Sequence, residues 1–139
     1  KVTVEGPQGP AVEFASGSRM RVTVEAVGRV RHDDVSVVIQ VVDDHQYGVF
    51  DTCTQRLGQG ELTLGPDQTL RCTVELDLAL AQGSFHVNAF LHRYRTDLAY
   101  DTWRSAATFF VSGAPEARGV VTLHPRLLEC RIADGGAGA

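Results

Sequence analysis

The fold is decided by the stretch Phe85-His86-Val87-Asn88-Ala89-Phe90-Leu91-His92. Successive side chains point to opposite faces of a strand, so one face of this stretch is apolar throughout. The other face carries two histidines, an asparagine and a phenylalanine, where a solvated strand normally carries charged residues and threonine. The stretch therefore predicts a strand with its apolar face buried and its second face open to a ligand.

The same alternation continues on both sides of this stretch. Clear period-2 strands are predicted at 19–27 and 69–77, and a β-branched run at 35–42 forms a hairpin with 47–53. Shorter strands are predicted at 2–5, 12–14, 61–64, 108–111 and 119–123. Glycine and proline separate these runs, and no segment has a convincing helical period.

About nine short strands without a helix predict an all-β fold, an immunoglobulin-like antiparallel β-sandwich of two sheets. At 139 residues the chain suits one domain. We expect the sandwich to span residues 1–133 and the Gly/Ala-rich tail 134–139 to be disordered. The apolar strand positions predict the interior, which comprises Met20, Val22, Val24, Leu70, Cys72, Val74, Leu76, Phe85, Val87, Ala89 and Leu91.

Charge and hydropathy exclude several classes of protein. The net charge is −4, and the twelve arginines and the single lysine, Lys1, are scattered among acids. Nucleic-acid binding requires clustered basic residues, so it is not expected. No apolar segment approaches the ~20 residues that span a bilayer. The start at Lys1 rather than Met suggests a piece of a longer protein.

Catalytic and metal-binding motifs are not found in the sequence. A P-loop needs a lysine directly after its second glycine, and the only lysine of the chain is Lys1. The Gly-x-Ser-x-Gly motif of serine nucleophiles is also absent. Cys53, Cys72 and Cys130 have no metal-site spacing and are predicted to be reduced. His86 and His92 would lie roughly 20 Å apart on one strand, at ~3.3 Å per residue, too far to share a metal ion. We therefore expect no enzyme activity, no metal and no cofactor.

The polar face of the 85–92 strand suits a hydroxyl-rich ligand such as a sugar, since rings cover C–H faces while amides and imidazoles bond hydroxyls. A neighbouring strand 35–42 would add Val38, Gln40 and Val42, its hairpin partner Val49 and Asp51, and a loop at 93–104 would form one wall. The candidate carbohydrate-binding residues are His86, Asn88, Phe90, His92, Gln40, Asp51, Tyr94, Tyr100 and Trp103.

Other interpretations of these residues remain open. Trp103 also suits a plug that packs its own loop, and Tyr100 also suits a hydrogen bond that holds the loop. The whole surface also suits a structural or protein–protein interaction module without a glycan ligand. A glycan screen separates the last alternative from sugar binding.

Several separated motifs, taken in order, carry a family resemblance. They are Phe14-x-Ser16-Gly17-x-x-Met20-x-Val22, Val49-Phe50-Asp51-Thr52, Leu80-x-x-Gly83-x-Phe85-x-Val87, Tyr100-Asp101 with Phe110-Val111, and Gly119-Val120-Val121. Over about residues 2–125 the chain resembles the C-terminal domain of Wzt-type O-antigen polysaccharide ABC transporter ATP-binding proteins. It departs from that family at Phe85, where tyrosine is commoner, and at His124-Pro125-Arg126, where an aromatic often stands.

The resemblance implies a non-catalytic domain that binds the undecaprenyl-linked O-antigen glycan, often through its non-reducing end. Its implied partners are the ATPase domain of the same protein, the transporter membrane subunit and a second copy, paired by C-terminal strand exchange. Its implied location is the cytoplasm, at the inner face of the bacterial inner membrane as part of the transporter. The sugar itself is not implied, because it differs between members.

Overall fold

The computed structural model describes residues 1–96 and 98–133, which form nine strands and no helix. The strands are β1 Val2–Gly6, β2 Gly9–Pro10, β3 Glu13–Ala15, β4 Arg19–Val27, β5 Val35–Asp43, β6 Gly48–Cys53, β7 Thr69–Asp77, β8 Gly83–Arg93 and β9 Leu98–Ser112. In this described part of the chain, no helix is long and apolar enough to cross a membrane. The tail 134–139, for which disorder is predicted, lies outside it.

The strands form two sheets, as the sequence predicts. The first sheet has the order β2-β1-β4-β7 and the second the order β3-β9-β8-β5-β6. All pairs are antiparallel except β3 with β9, which run parallel. Strand β8, which contains the stretch 85–92, lies at the centre of the second sheet. The all-β sandwich is confirmed.

The core lies between the two sheets. Met20, Val22 and Val24 on β4 are buried there, as are the four predicted interior residues of β8. Phe109 of β9 packs edge-on against Phe14 and stacks on Phe85, with ring centroids 6.0 and 5.6 Å apart. The interior residues predicted on β7 are only partly buried, because β7 is the edge strand of its sheet.

The outer face of the first sheet is an ordinary solvated surface. Arg21 pairs with Glu75 at 3.1 Å and Arg71 with Glu25 at 3.7 Å across β4 and β7. Exposed pairs of this kind contribute little to stability.

Three segments differ from the sequence-based prediction. The loop predicted at 93–104 is much shorter than expected: residues 94–96 form a turn, and β9 begins at Leu98 and pairs with β8. The short strands predicted at 61–64 and 119–123 are reduced to single bridges, His32 with Leu64 and Leu80 with Val121. Each is a brief contact that joins no sheet.

Candidate functional site

A depression of about 680 Å³ opens on the outer face of the second sheet. Strands β5 and β8 form its floor, while β6 with its following turn and β9 contribute its sides. The polar, charged and aromatic residues that line it are Ser36, Gln40, Asp51, Thr52, Arg56, Phe90, His92, Tyr94, Thr102 and Arg104. Its volume lies within the range of small-ligand sites.

Strand register brings the lining together from distant parts of the chain. Phe90 pairs with Val38 of β5 and Thr102 of β9, while Gln40 pairs with Asp51 of β6. Directly paired residues share a face, so their side chains converge on one surface. Five of the predicted site residues line the depression, namely Gln40, Asp51, Phe90, His92 and Tyr94.

Phe90 lies between two neighbours. Its ring centroid is 5.4 Å from that of His92, and the Arg104 guanidinium carbon lies 5.5 Å above the ring. A guanidinium at this distance is attracted by the negative face of the ring. Phe90 therefore supports Arg104. Tyr94, which is 49% exposed, lines the same depression.

Asn88 lies on the same strand but does not reach the depression. The residue is only 1% exposed. Its Nδ2 donates to Gln40 Oε1 at 3.0 Å, and its Oδ1 accepts the Ser105 N–H at 2.7 Å. The prediction that Asn88 offers its amide to a ligand is therefore not met, because both ends of the amide are used inside the protein. Gln40, whose Oε1 accepts from Asn88, keeps its NH₂ group as a hydrogen-bond donor for a ligand.

The Ser105 bond holds a bulge in β9. Between the pairs Val87–Ala107 and Ala89–Trp103, β8 advances two residues and β9 four. Residues 104–106 therefore face Asn88 alone, and Ser105 adopts a φ of 48°. Bulges redirect side chains at functional edges. This one belongs to the part of β9 that contributes Arg104 to the depression.

His86 also lies outside the depression. Its Nδ1 is 2.9 Å from Thr108 Oγ1 and its Nε2 is 2.9 Å from Asp44 Oδ1. The bond from His86 lowers the pKa of the Asp44 carboxyl below its ordinary value. His86 therefore joins β9 to the turn after β5. Val42, predicted beside it on the outer surface, is buried, and Val49 packs against the core.

Tyr100 and Trp103 line a second depression, of about 710 Å³, together with residues of β4 and the loop that follows it. Tyr100 donates its hydroxyl to the Asp33 carbonyl at 3.0 Å, and its ring lies 4.2 Å from that of His32. Trp103 pairs with inward-facing Ala89 and packs against the core. The structure does not bring these two residues to the first depression, and the packing interpretation fits both.

Sequence reasoning missed Arg56, Thr102 and Arg104. Thr102 and Arg104 alternate with Trp103, so treating 98–104 as a strand would have placed both on the outer face. Arg56 lies in the turn after β6 and has no periodic signal. Among residues 1–96 and 98–133, no group of three His, Cys, Asp or Glu side chains is placed to hold a metal ion. The depression offers hydrogen bonds, ring faces and charge.

Fold and surface together define a class, the immunoglobulin-like β-sandwich domain with a polar depression on one outer sheet face. The chain belongs to the Wzt C-terminal domain family, whose profile matches residues 1–123. A crystal structure of the C-terminal domain of wzt has a TM-score of 0.81 and 12% sequence identity. The similarity covers 94% of this chain and 81% of that chain, and at this identity it establishes a shared fold. No match is found among curated protein sequences.

Proposed function

We propose that this domain is a non-catalytic carbohydrate-binding module that recognises O-antigen polysaccharide, at its non-reducing end, for export by an ABC transporter. The observation that carries the proposal is the depression on the β5–β8 face, which combines amide, carboxylate and imidazole groups with an exposed tyrosine ring. Membership of the Wzt C-terminal domain family supports it.

The lining suits the two kinds of surface that a sugar presents. Tyr94 offers a flat ring to C–H groups, while Gln40 donates and Asp51 accepts hydrogen bonds from hydroxyls. A concave site in which several polar groups converge around a ring suits small-ligand recognition. A terminal sugar residue fits this description better than a flat protein partner does.

The family also suggests where the module acts. In this proposal the glycan is undecaprenyl-linked, and the domain works in the cytoplasm at the inner face of the bacterial inner membrane. Its partners there are the ATPase domain of the same protein and the membrane subunit of the transporter. Wzt C-terminal domain membership supports the association with a transporter.

The test is a calorimetric titration with O-polysaccharide from the producing strain and from unrelated strains. We expect saturable binding to the first alone. Tyr94→Ala and Asp51→Asn should each weaken binding by about tenfold, equivalent to ~1.4 kcal/mol. Thr73→Ala, on the outer face of the first sheet, is the control and should bind normally. If no polysaccharide binds, or the control loses binding while the site variants keep it, the assignment is wrong.

We also propose that two copies pair through their C-terminal segments. Gly119–Thr122 returns to its own sandwich, where Ala81 N donates to Val120 O at 2.9 Å and Thr122 N to Ala79 O at 3.1 Å. Beyond Thr122 the chain leaves the sandwich with apolar side chains uncovered. They are Leu123, Leu127, Leu128 and Ile132, exposed by 84% or more. A second copy would cover them, and sheet edges accept such segments.

A further inference from the structure

Arg56 and Arg104, which line the depression, differ in their ion pairing from the arginines of the opposite sheet. On the outer face of β4 and β7, each arginine pairs with a carboxylate, as in Arg21 with Glu75 and Arg71 with Glu25. Arg56 and Arg104 form no ion pair with any carboxylate of the described residues. Both line the same depression, which therefore contains positive charge that no described carboxylate pairs with, in a chain of net charge −4.

Arg104 is also held in place, which an ordinary solvated arginine is not. Its guanidinium lies 5.5 Å above the centre of the Phe90 ring. The next residue, Ser105, donates its N–H to the buried Asn88 at 2.7 Å and adopts a φ of 48°. Left-handed backbone at a serine persists only when surrounding contacts impose it. The protein thus fixes the backbone of Arg104 and one face of its guanidinium.

The charges of the lining favour an anion on one side of the depression. Among the residues that the structure describes, Asp51 on β6 is the one carboxylate that lines the depression with Arg56 and Arg104. Asp51 pairs with Gln40, and together they suit the hydroxyls of a sugar. A planar guanidinium binds a carboxylate or phosphate through two parallel hydrogen bonds, which makes it more selective than a lysine would be.

We infer that the glycan bound in the depression carries an anionic group, a carboxylate or a phosphate, and that Arg104 and Arg56 bind it. The inference rests on the proposed function and adds the chemical class of the ligand. Arg104, already oriented by Phe90 and the bulge, binds the anion at little cost in side-chain entropy. Arg56, in the turn after β6, approaches from the opposite side of the floor.

The first experiment follows the arginine Nε–H signals of the ¹⁵N-labelled protein by NMR during titration with sodium glucuronate, sodium phosphate and glucose. We expect one or both anions to shift the signals of Arg104 and Arg56, added KCl to reverse the shifts, and glucose to leave them unchanged. A response to glucuronate alone assigns a carboxylate, and a response to phosphate alone assigns a phosphate. No response to either anion overturns the inference.

The second experiment measures O-polysaccharide affinity in variants. R104Q and R56Q should each bind at least about tenfold more weakly than the wild type, and wild-type affinity should fall as KCl rises. R104K keeps the positive charge but loses the planar guanidinium, so its affinity should lie between those of R104Q and the wild type. R71Q carries the same charge change on the other sheet and should bind as the wild type does. Spectra of each variant with wild-type dispersion establish that it is folded.

The two proposals fail in different ways. If the polysaccharide binds with affinity that R104Q and salt leave unchanged, the anionic ligand is excluded while the glycan-binding function stands. If anions shift both arginine signals but no polysaccharide binds, the glycan-binding function fails while the anion site stands.

Discussion

His86 has both ring nitrogens in use, one with a hydroxyl and one with a carboxylate. An ionised carboxylate only accepts hydrogen bonds, so Nε2 must carry the proton shared with Asp44. In the neutral ring, Nδ1 then accepts from the Thr108 hydroxyl. Alternation along β8 predicts that His86 lies on its outer face, as observed. It does not predict the two partners, because Asp44 and Thr108 lie 42 and 22 residues away along the chain.

The Asp44 carboxyl should titrate below its ordinary value of 3.8, mainly because of the bond from His86. A carboxyl whose folded-state pKa is lowered adds stability above its unfolded-state pKa, and this is lost as the pH falls through the folded-state value. We expect the Asp44 ¹³Cγ signal to titrate below 3.8 in the wild type and at a higher pH in His86→Gln than in the wild type. Equal midpoints in the two proteins would remove the proposed role of His86.

The orientation of a side chain was predicted correctly where the alternation of strand residues determines it, and incorrectly where pairing with a distant strand determines it. Alternation placed Phe90 and His92 on the outer face, and both line the depression. The same alternation placed Asn88 there, but the β9 bulge covers it. A bulge is set by pairing between strands, so no pattern within β8 alone reveals it.

At the scale of elements, the bulge makes Asn88 structural. Asn88→Ala would leave the Ser105 N–H and Gln40 Oε1 without their partner, and Asn88 itself is buried. We expect a loss of about 1 to 3 kcal/mol in the free energy of unfolding, measured by urea denaturation. Binding should weaken as well, since Arg104 and Gln40 lose their support. Arg71→Ala, at an exposed pair, should change neither. Unchanged stability in Asn88→Ala would mean that the bulge does not depend on the amide.

Strand β9 explains why a loop was predicted at 93–104. Strand β3 pairs only with residues 110–112 of β9, so the preceding residues of β9 have β8 as their sheet neighbour. A strand with an open edge can carry exposed polar residues on both sides, and Asp101, Thr102 and Arg104 are exposed. Without a regular apolar face, the sequence lacks the alternation by which strands are recognised. Arg104 was missed for this reason.

At the scale of the molecule, the exposed C-terminal residues predict an oligomer. Light scattering after size-exclusion chromatography should give about twice the monomer mass of 15.1 kDa. Removing residues 123–139 should give a monomer, because the deletion keeps the bonds of Val120 and Thr122 to the sandwich. A single mass of 15.1 kDa for the full chain at high concentration would exclude the dimer.

The two-sheet sandwich itself was predictable from β4, β7 and β8, where one apolar face and one polar face repeat over nine residues or more. The depression was predictable only in part. Its floor follows from alternation on β8 and from the pairing of β8 with β5, whereas Arg56 comes from the turn after β6. Turn conformation depends on where the strands on either side stop, and sequence patterns locate strand ends poorly.

The parallel pair of β3 and β9 has a consequence for folding kinetics. It joins residues 13–15 to residues 110–112, so most of the described chain lies between the two partners. Closing so long a loop costs conformational entropy, and this cost opposes formation of the pair before its hydrogen bonds can stabilise it. We expect this pair to form late, after β4 with β7 and β5 with β8. During synthesis, a chain with β9 still inside the ribosome would lack this pair, leaving β3 unpaired until β9 has emerged.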